Sequence, residues 1–119
     1  MTNHLTLHTC TTASGQVIEL AGDLDHHTAP EVRAALPALD LRAGQQLVID
    51  LGSLTFCDSS GITVLIAARN HALAAGASIV LVAVPNRVSR IFRIVGLDQV
   101  FSTHPTAQDA EAAWQPATD

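Results

Sequence analysis

The sequence contains no lysine, and this absence limits the surfaces that the protein can present. Its 119 residues include six basic residues, all of them arginine, against eleven acidic residues, for a formal net charge of −5. A nucleic-acid interface needs many clustered cations, because each backbone contact neutralises one phosphate. We therefore expect no direct contact with nucleic acid.

Cysteine is also scarce. Cys10 and Cys57 are the only two cysteines, and they lie far apart without a CxxC pair. This spacing indicates neither a disulfide framework nor a zinc site. We expect two reduced thiols, no cofactor and no bound metal.

The hydropathy of the sequence predicts neither an export signal nor a membrane span. Residues 1–8 lack the basic start and apolar stretch of a secretory signal. The most apolar region, 62–84, is divided by Arg69 and Gly76 into two shorter elements. We expect a cytoplasmic protein without membrane contact.

What remains is the composition of a folded protein. Hydrophobic residues make up 48% of the chain, and the mean hydropathy is +0.29. A chain of this length forms one core rather than two. We expect a single domain over residues 1–119, with its core at about 5–114 and a frayed tail at 115–119.

Hydrophobic patterning predicts strands that alternate with helices. Apolar runs indicate strands covered on both faces, whereas apolar residues at helical spacing indicate helices packed on one side. The predicted strands cover residues 16–21, 47–51, 79–84 and 99–101. The predicted helices cover residues 29–39, 62–73 with a stop at Gly76, 88–95 with a stop at Gly96, and 106–114. The first helix begins with Thr28 as N-cap and Glu31 at the capping-box position.

The segment Asp58, Ser59, Ser60, Gly61 follows a predicted buried strand and opens the second helix. This places it at the carboxyl edge of an open α/β sheet, where the functional residues of such folds lie. A helix start accommodates a phosphate on an exposed hydroxyl, because its N–H groups and dipole are positive. The alternative is that Asp58 or Ser59 only caps the helix, which spacing alone favours.

Acidic residues precede the first helix. Asp23 and Asp25 are two positions apart, so in a continuing strand they point the same way and could join Asp58 in an acidic patch. The neighbouring His26 and His27 are potential metal ligands, but a solvated loop is the favoured interpretation because no second ligand cluster is evident.

A basic face is predicted on the third helix, where Arg87, Arg90 and Arg93 lie three apart. A solvated face is the usual meaning of this spacing. The alternative is a contact with a partner, because arginine is favoured at interfaces.

Three stretches of the sequence resemble the anti-sigma factor antagonists of the STAS-domain family. They are VIELAGDLD at residues 17–25, LVIDLGSLTFCDSSG at residues 47–61 and VSRIFRIVGLDQVF at residues 88–101. They occur in family order and cover almost the whole chain. The resemblance implies an α/β fold of STAS type, a mixed, mostly parallel sheet of about four or five strands with about four helices packed against it.

The resemblance also implies a function. Ser59, the first hydroxyl residue after Asp58, corresponds to the phosphorylated serine of the family. The unphosphorylated form is expected to bind an anti-sigma factor that is an ATP-binding serine kinase and so to release a sigma factor, without enzymatic activity of its own. A phosphatase is expected to act on phospho-Ser59. The residues expected at the partner interface are Asp23, Asp25, Thr28, Asp58, Ser60 and Gly61.

Alternative functions remain at this point. The same fold could serve as a scaffold or a transporter-associated module with another partner. A serine hydrolase using Ser59 is disfavoured, because the G-x-S-x-G motif is absent. A receiver phosphorylated on Asp50 or Asp58 is disfavoured by the absence of lysine.

Overall fold

The fold is a five-stranded sheet with helices on both faces, seen in a computed structural model that describes residues 4–114. The strands are β1 Leu5–Thr12, β2 Gly15–Leu24, β3 Gln46–Cys57, β4 Ser78–Val82 and β5 Ser102–His104. The helices are α1 Ala29–Ala35, α2 Ser59–Ala74, α3 Asn86–Val95 and α4 Ala107–Ala113. Short 3-10 helices cover Leu36–Ala38 and Leu97–Gln99.

The strand order is β1-β2-β3-β4-β5, with β1 antiparallel to β2 and the other neighbours parallel. The expected mixed, mostly parallel sheet is therefore confirmed. The hydrophobic pattern does not predict β1. This edge strand buries no residue fully, and only Leu5, Leu7 and Thr12 are half-buried along it, so its hydrophobic alternation is weak.

The sheet separates two cores, because successive strand residues point to opposite faces. The larger core contains Ile18, Ile49 and Leu81 and is covered by α1, α2 and α3. The smaller core lies on the opposite face and is covered by Ala110 of α4; its strand residues are Val17, Val48, Val80 and Val82. Both faces of the central strands are buried, as their continuous apolar runs predict.

Several predicted boundaries are wrong. The first helix leaves α-geometry after Ala35, where Pro37 allows only the short 3-10 turn Leu36–Ala38. β3 extends beyond the predicted end at residue 51 to Cys57. It does so because it stays paired with β2 beyond two shifts in register. The strand expected at 99–101 begins only at Ser102, after the second 3-10 turn. The tail expected at 115–119 lies outside the described residues.

Candidate functional site at the carboxyl edge of the sheet

The segment with Ser59 lies where two parallel strands end together. Leu24 at the end of β2 pairs with Cys57 at the end of β3, so the loops that follow both strands start at the same edge. The main-chain amide of Asp58 donates a hydrogen bond to the carbonyl oxygen of Leu24 at 3.2 Å. The expected position at the carboxyl edge is confirmed.

Asp58, not Ser59, caps the second helix. Its Oδ1 accepts hydrogen bonds from the amides of Ser60 at 2.8 Å and Gly61 at 3.1 Å. Ser59 is the first residue of α2 and is exposed, and its carbonyl oxygen accepts a hydrogen bond from Thr63 Oγ1 at 2.9 Å. No group within residues 4–114 forms a hydrogen bond with the Ser59 hydroxyl. The cap therefore leaves this hydroxyl free to react or to bind.

Gly61 holds the first turn of α2 close to the end of β2. A Cβ at this position would lie 2.7 Å from both Cys57 Sγ and the carbonyl oxygen of Leu24. Such distances are shorter than van der Waals contact, so a side chain would force the helix away from the strand. The glycine thus keeps Ser59 at a defined height above the sheet edge.

The loop between β2 and α1 is braced from within by Asp25 and Thr28, which are 5% and 3% exposed. Asp25 Oδ1 accepts hydrogen bonds from the amides of His27 at 2.9 Å and Thr28 at 3.1 Å. The Thr28 hydroxyl donates to the carbonyl oxygen of Asp23 at 2.7 Å and accepts from the amide of Asp25 at 3.0 Å. These bonds set the course of the loop beside Ser59.

The hydrogen bonds also control the ionisation of Asp25. Burial acts to raise its pKa, but the amides of Thr28 and His27, the Thr28 hydroxyl and the charge on His27 together outweigh burial. The pKa of Asp25 therefore lies below its ordinary value. The hydrogen bonds that this carboxylate accepts from the loop stabilise its charged form.

The prediction that Asp25 belongs to an acidic surface patch is wrong. Two residues two positions apart share a direction only while a strand continues, and β2 ends at Leu24, so the Asp25 side chain turns into its own loop. Asp23 stays partly exposed, where its Oδ1 accepts a hydrogen bond from Thr55 Oγ1 at 2.8 Å. Asp58 is also partly exposed. Asp58 is therefore the partly exposed carboxylate next to Ser59, while Asp23 contacts Thr55.

Three of the residues expected at the partner interface are buried. Thr28 and Gly61 are buried like Asp25, so these three residues do not present side chains to a partner. Thr28 occupies the N-cap position of α1 but makes no side-chain cap bond, and its hydroxyl bonds Asp23 and Asp25 instead. Ser60 is partly exposed, as a surface role requires.

Cys57 lies beside the site as a half-buried thiol. Burial, with a smaller contribution from the nearby charge of Asp58, raises its pKa from 9.0 to about 11. A thiol with this pKa is almost entirely protonated near neutral pH and is a poor nucleophile. Cys57 therefore packs against the site and does not supply reactive chemistry there.

A groove that the sequence pattern did not reveal runs between α2 and α3. It is an open space of about 430 Å³, and Ser59 is among its lining residues. Its apolar lining, which we call the α2–α3 groove, consists of Ile62, Ile66, Ile91, Val95 and Leu97. Val88, Ile91, Phe92 and Val95 recur at helical spacing along α3, but Ile91 and Val95 are 36% and 57% exposed. Only Val88 and Phe92 of that set are buried.

Other kinds of site receive little support from the described residues. No group of three or more His, Cys, Asp or Glu side chains in the described part of the chain could hold a metal ion. His26 and His27 are both exposed, with ring centroids 5.8 Å apart. Between residues 4 and 114, no helix combines the length and the apolar character needed to cross a membrane.

Known proteins share this fold and this sequence pattern. The family model described as "Mlab, STAS domain" matches residues 8–103. The anti-sigma-B factor antagonist of Listeria monocytogenes is 34% identical over 83 residues, which cover 70% of this chain and 73% of that relative. The anti-sigma F factor antagonist of Paenibacillus polymyxa is 28% identical over 95 residues, covering 79% of this chain and 81% of that relative.

A solved structure agrees with these relatives. The crystal structure of an anti-sigma factor antagonist from Mycobacterium paratuberculosis has a TM-score of 0.80 to this protein at 28% identity, over 93% of this chain and 94% of that chain. The fold and the site together define a protein with a STAS-type sheet and an exposed serine at the start of α2. The chain belongs to the STAS domain family.

Proposed function

We propose that the protein is an anti-sigma factor antagonist, a regulatory binding protein without enzymatic activity. Its unphosphorylated form binds an anti-sigma factor that is an ATP-binding serine kinase and thereby releases a sigma factor. The names of the relatives from Listeria monocytogenes and Paenibacillus polymyxa support this function. The observation that carries the switch is the exposed Ser59 at the start of α2, beside a cap that Asp58 supplies.

Phosphorylation of Ser59 switches binding off in this proposal. A phosphate adds about −1.5 to −2 charges at neutral pH. The start of α2 tolerates that charge, because the helix dipole is positive there. A partner surface matched to a small hydroxyl beside Asp58 does not, and steric intrusion with like-charge repulsion weakens binding by on the order of 3 kcal/mol. That is roughly a hundredfold in affinity.

The proposed partners follow from this switch. The kinase recognises Asp23, Asp58, Ser59 and Ser60 on the surface, while Asp25, Thr28 and Gly61 hold the two loops in position from below. A phosphatase that acts on phospho-Ser59 resets the protein. We place these events in the cytoplasm, in one domain that contains the whole sheet.

The test uses purified candidate kinases of the ATP-binding anti-sigma type from the same genome. Each is titrated by calorimetry against the wild type, Ser59→Ala and Ser59→Asp, and phosphate is located by mass spectrometry after incubation with ATP. The wild type and Ser59→Ala should bind, only the wild type should be phosphorylated, and Ser59→Asp should bind about tenfold or more weakly. Its loss is smaller than that of the phosphorylated protein, because aspartate carries one charge.

Ser60→Ala is the matched control, since Ser60 is the adjacent hydroxyl on the same helix turn. It should still be phosphorylated on Ser59, and its affinity should fall by less than that of Ser59→Asp, because alanine adds neither charge nor bulk. Phosphate on Ser60, or equal affinities of Ser59→Ala and Ser59→Asp, would contradict Ser59 as the switch. The absence of binding by the wild type to every such kinase would contradict the function itself.

A further inference from the structure

One edge of the sheet is open along the whole of β1. This strand pairs with β2 on one side, and no strand within residues 4–114 pairs with its other side. Its eight residues, Leu5–Thr12, pair with β2 without a shift in register, so no β-bulge twists this edge away from a neighbour. A long, regular, unpaired edge is a template for pairing with another strand.

The composition of β1 provides none of the usual protection against such pairing. Natural edge strands are shielded by lysine, by proline or by other charged side chains. The sequence of β1, LTLHTCTT, contains no proline, arginine, lysine or acidic residue. Leu5 and Leu7 are half-buried against the larger core, and a neighbouring strand would cover them further. The edge is therefore suited to another β-strand.

One hydrogen bond shows which main-chain groups of β1 face outward. The carbonyl oxygen of His4 accepts a hydrogen bond from the amide of Asp23 at 2.9 Å, so the main chain at His4 faces β2. In an antiparallel pair, successive residues alternate between facing the paired strand and facing away from it. The outward residues of β1 are therefore Leu5, Leu7, Thr9 and Thr11. Because β2 is the one strand beside β1 within residues 4–114, their amides and carbonyl groups have no main-chain partner there.

The outward residues are arranged symmetrically about His8. If two copies of β1 lie antiparallel with a two-fold axis at His8, Leu5 of one copy is opposite Thr11 of the other, and Leu7 is opposite Thr9. Every outward amide and carbonyl group then has a partner. A slide of two residues in either direction leaves one outward residue of each copy beyond the end of the other strand. The symmetric register therefore forms the most hydrogen bonds.

Symmetry favours a second copy of the chain over a pairing between different edges. Pairing of β1 with β1 uses the same surface on both molecules and closes after two copies. The opposite sheet edge, β5, has three residues, too few to pair with the eight of β1. The net charge of −5 repels a second copy in general, but β1 brings no acidic residue to this contact.

We propose that two copies of the protein associate through β1, with His8 on the two-fold axis and one sheet continuing through both molecules. The contact is small, because one strand of eight residues lies against another. Small interfaces form weak and transient complexes, so we expect a dissociation constant of about 100 µM. The dimer does not depend on the function proposed above, since β2 separates β1 from the strand that leads to Ser59.

A disulfide tests both the contact and its register. In a Cys10→Ser background, His8→Cys places two thiols directly opposite each other in a non-hydrogen-bonded pair, with Cα atoms about 4.5 Å apart. This spacing lies within the range of about 4.4 to 6.8 Å that a disulfide requires. Mild oxidation at about twice the expected dissociation constant should convert most of this variant to a covalent dimer on a non-reducing gel.

Thr6→Cys in the same background is the matched control. Thr6 is exposed like His8 and lies on the same face of β1. The two copies of position 6 are four residues apart along the paired strands, about 13 Å, which is too far for a disulfide. This variant should remain largely monomeric under the same oxidation.

Thr9→Pro tests the pairing without a covalent bond. The amide of Thr9 faces outward, so proline removes a hydrogen bond of the dimer and none to β2. In sedimentation equilibrium at up to about 1 mM protein, the wild type and Thr9→Ala should dimerise with constants within about threefold of each other. Thr9→Pro should dimerise at least tenfold more weakly while it keeps the far-UV circular dichroism spectrum of the wild type.

The outcomes distinguish this contact from other surfaces. A wild type that sediments as a monomer at about 1 mM would contradict the dimer. Equal cross-linking of His8→Cys and Thr6→Cys would overturn the register with His8 on the axis. Dimerisation of undiminished strength in Thr9→Pro would assign the contact to a surface other than β1. Kinase binding and phosphorylation of Ser59 are measured separately, so none of these results affects the proposed function.

Discussion

The amide of Asp58 donates a hydrogen bond of 3.2 Å to the carbonyl oxygen of Leu24, which connects the start of α2 to the end of β2. The connection matters because Asp58 also caps α2 through the amides of Ser60 and Gly61. One residue therefore joins the sheet edge, the helix start and the exposed Ser59. Changes at this junction should separate stability from partner binding.

Replacing Asp58 by alanine should destabilise the protein. The loss of an N-cap side chain costs about 1 kcal/mol, which corresponds to a fall of roughly 4 °C in melting temperature for a domain of this size. Asp58→Ser retains a capping oxygen without the charge, and it should keep the melting temperature within about 1 °C of the wild type. Thermal unfolding of both variants checks this, and an equally large fall in Asp58→Ser would indicate that the charge, not the cap, is important.

Asp23 and Asp25 should behave differently although they are two positions apart. Asp23→Asn alters a partly exposed carboxylate and should weaken kinase binding with little change in melting temperature. Asp25→Asn removes the negative charge from the acceptor of the loop amides and should lower the melting temperature at pH 7 by more than Asp23→Asn does. Because the native pKa of Asp25 is depressed, this stabilisation is present above the ordinary value of 3.8 and is lost as pH falls below it.

Unfolding of the wild type and Asp25→Asn between pH 7 and pH 3 tests that sign. The gap in melting temperature should be widest at neutral pH and should close as the pH falls through and below 3.8. A gap of constant size would show that the ionised carboxylate of Asp25 does not stabilise the loop.

Gly61→Ala should destabilise the protein although alanine is the better helix former. The gain in helix propensity is about 1 kcal/mol. The new Cβ would lie 2.7 Å from a main-chain carbonyl oxygen, and overpacking of this kind costs about 1 to 3 kcal/mol, so the clash should dominate. Ser60→Ala, one residue earlier in the same turn, should leave the free energy of unfolding within about 0.5 kcal/mol of the wild type. A more stable Gly61→Ala protein would show that the helix start can shift.

Cys57 should resist alkylation in the folded protein. Its pKa of about 11 leaves little thiolate at pH 8. In a Cys10→Ser background, the rate of reaction with iodoacetamide should rise with pH up to about 11 in buffer, and up to the ordinary value of 9.0 in denaturant. Because the native pKa is raised, the associated stabilisation is present below pH 9.0 and is lost as pH rises towards 11. Equal rates with and without denaturant at pH 8 would contradict this.

Local patterns in the sequence were sufficient for much of the fold and for the position of Ser59. The apolar runs of β3 and β4 predict buried parallel strands, and Gly96 ends α3 in the left-handed conformation with φ 81°. These features depend on neighbours within one helical turn or one strand. The weak edge strand β1 was missed, because its pairing with β2 rather than its composition makes it a strand.

The sequence by itself determined the order of the central elements and placed Ser59 between a buried strand and a helix. Only the tertiary structure decided which side chains around Ser59 reach solvent. Asp25 is buried because its loop folds back on Thr28, and Val95 is exposed because no element covers that side of α3 within residues 4–114. Burial depends on which distant segments the sheet order brings together, and hydrophobic periodicity along one helix contains no information about them.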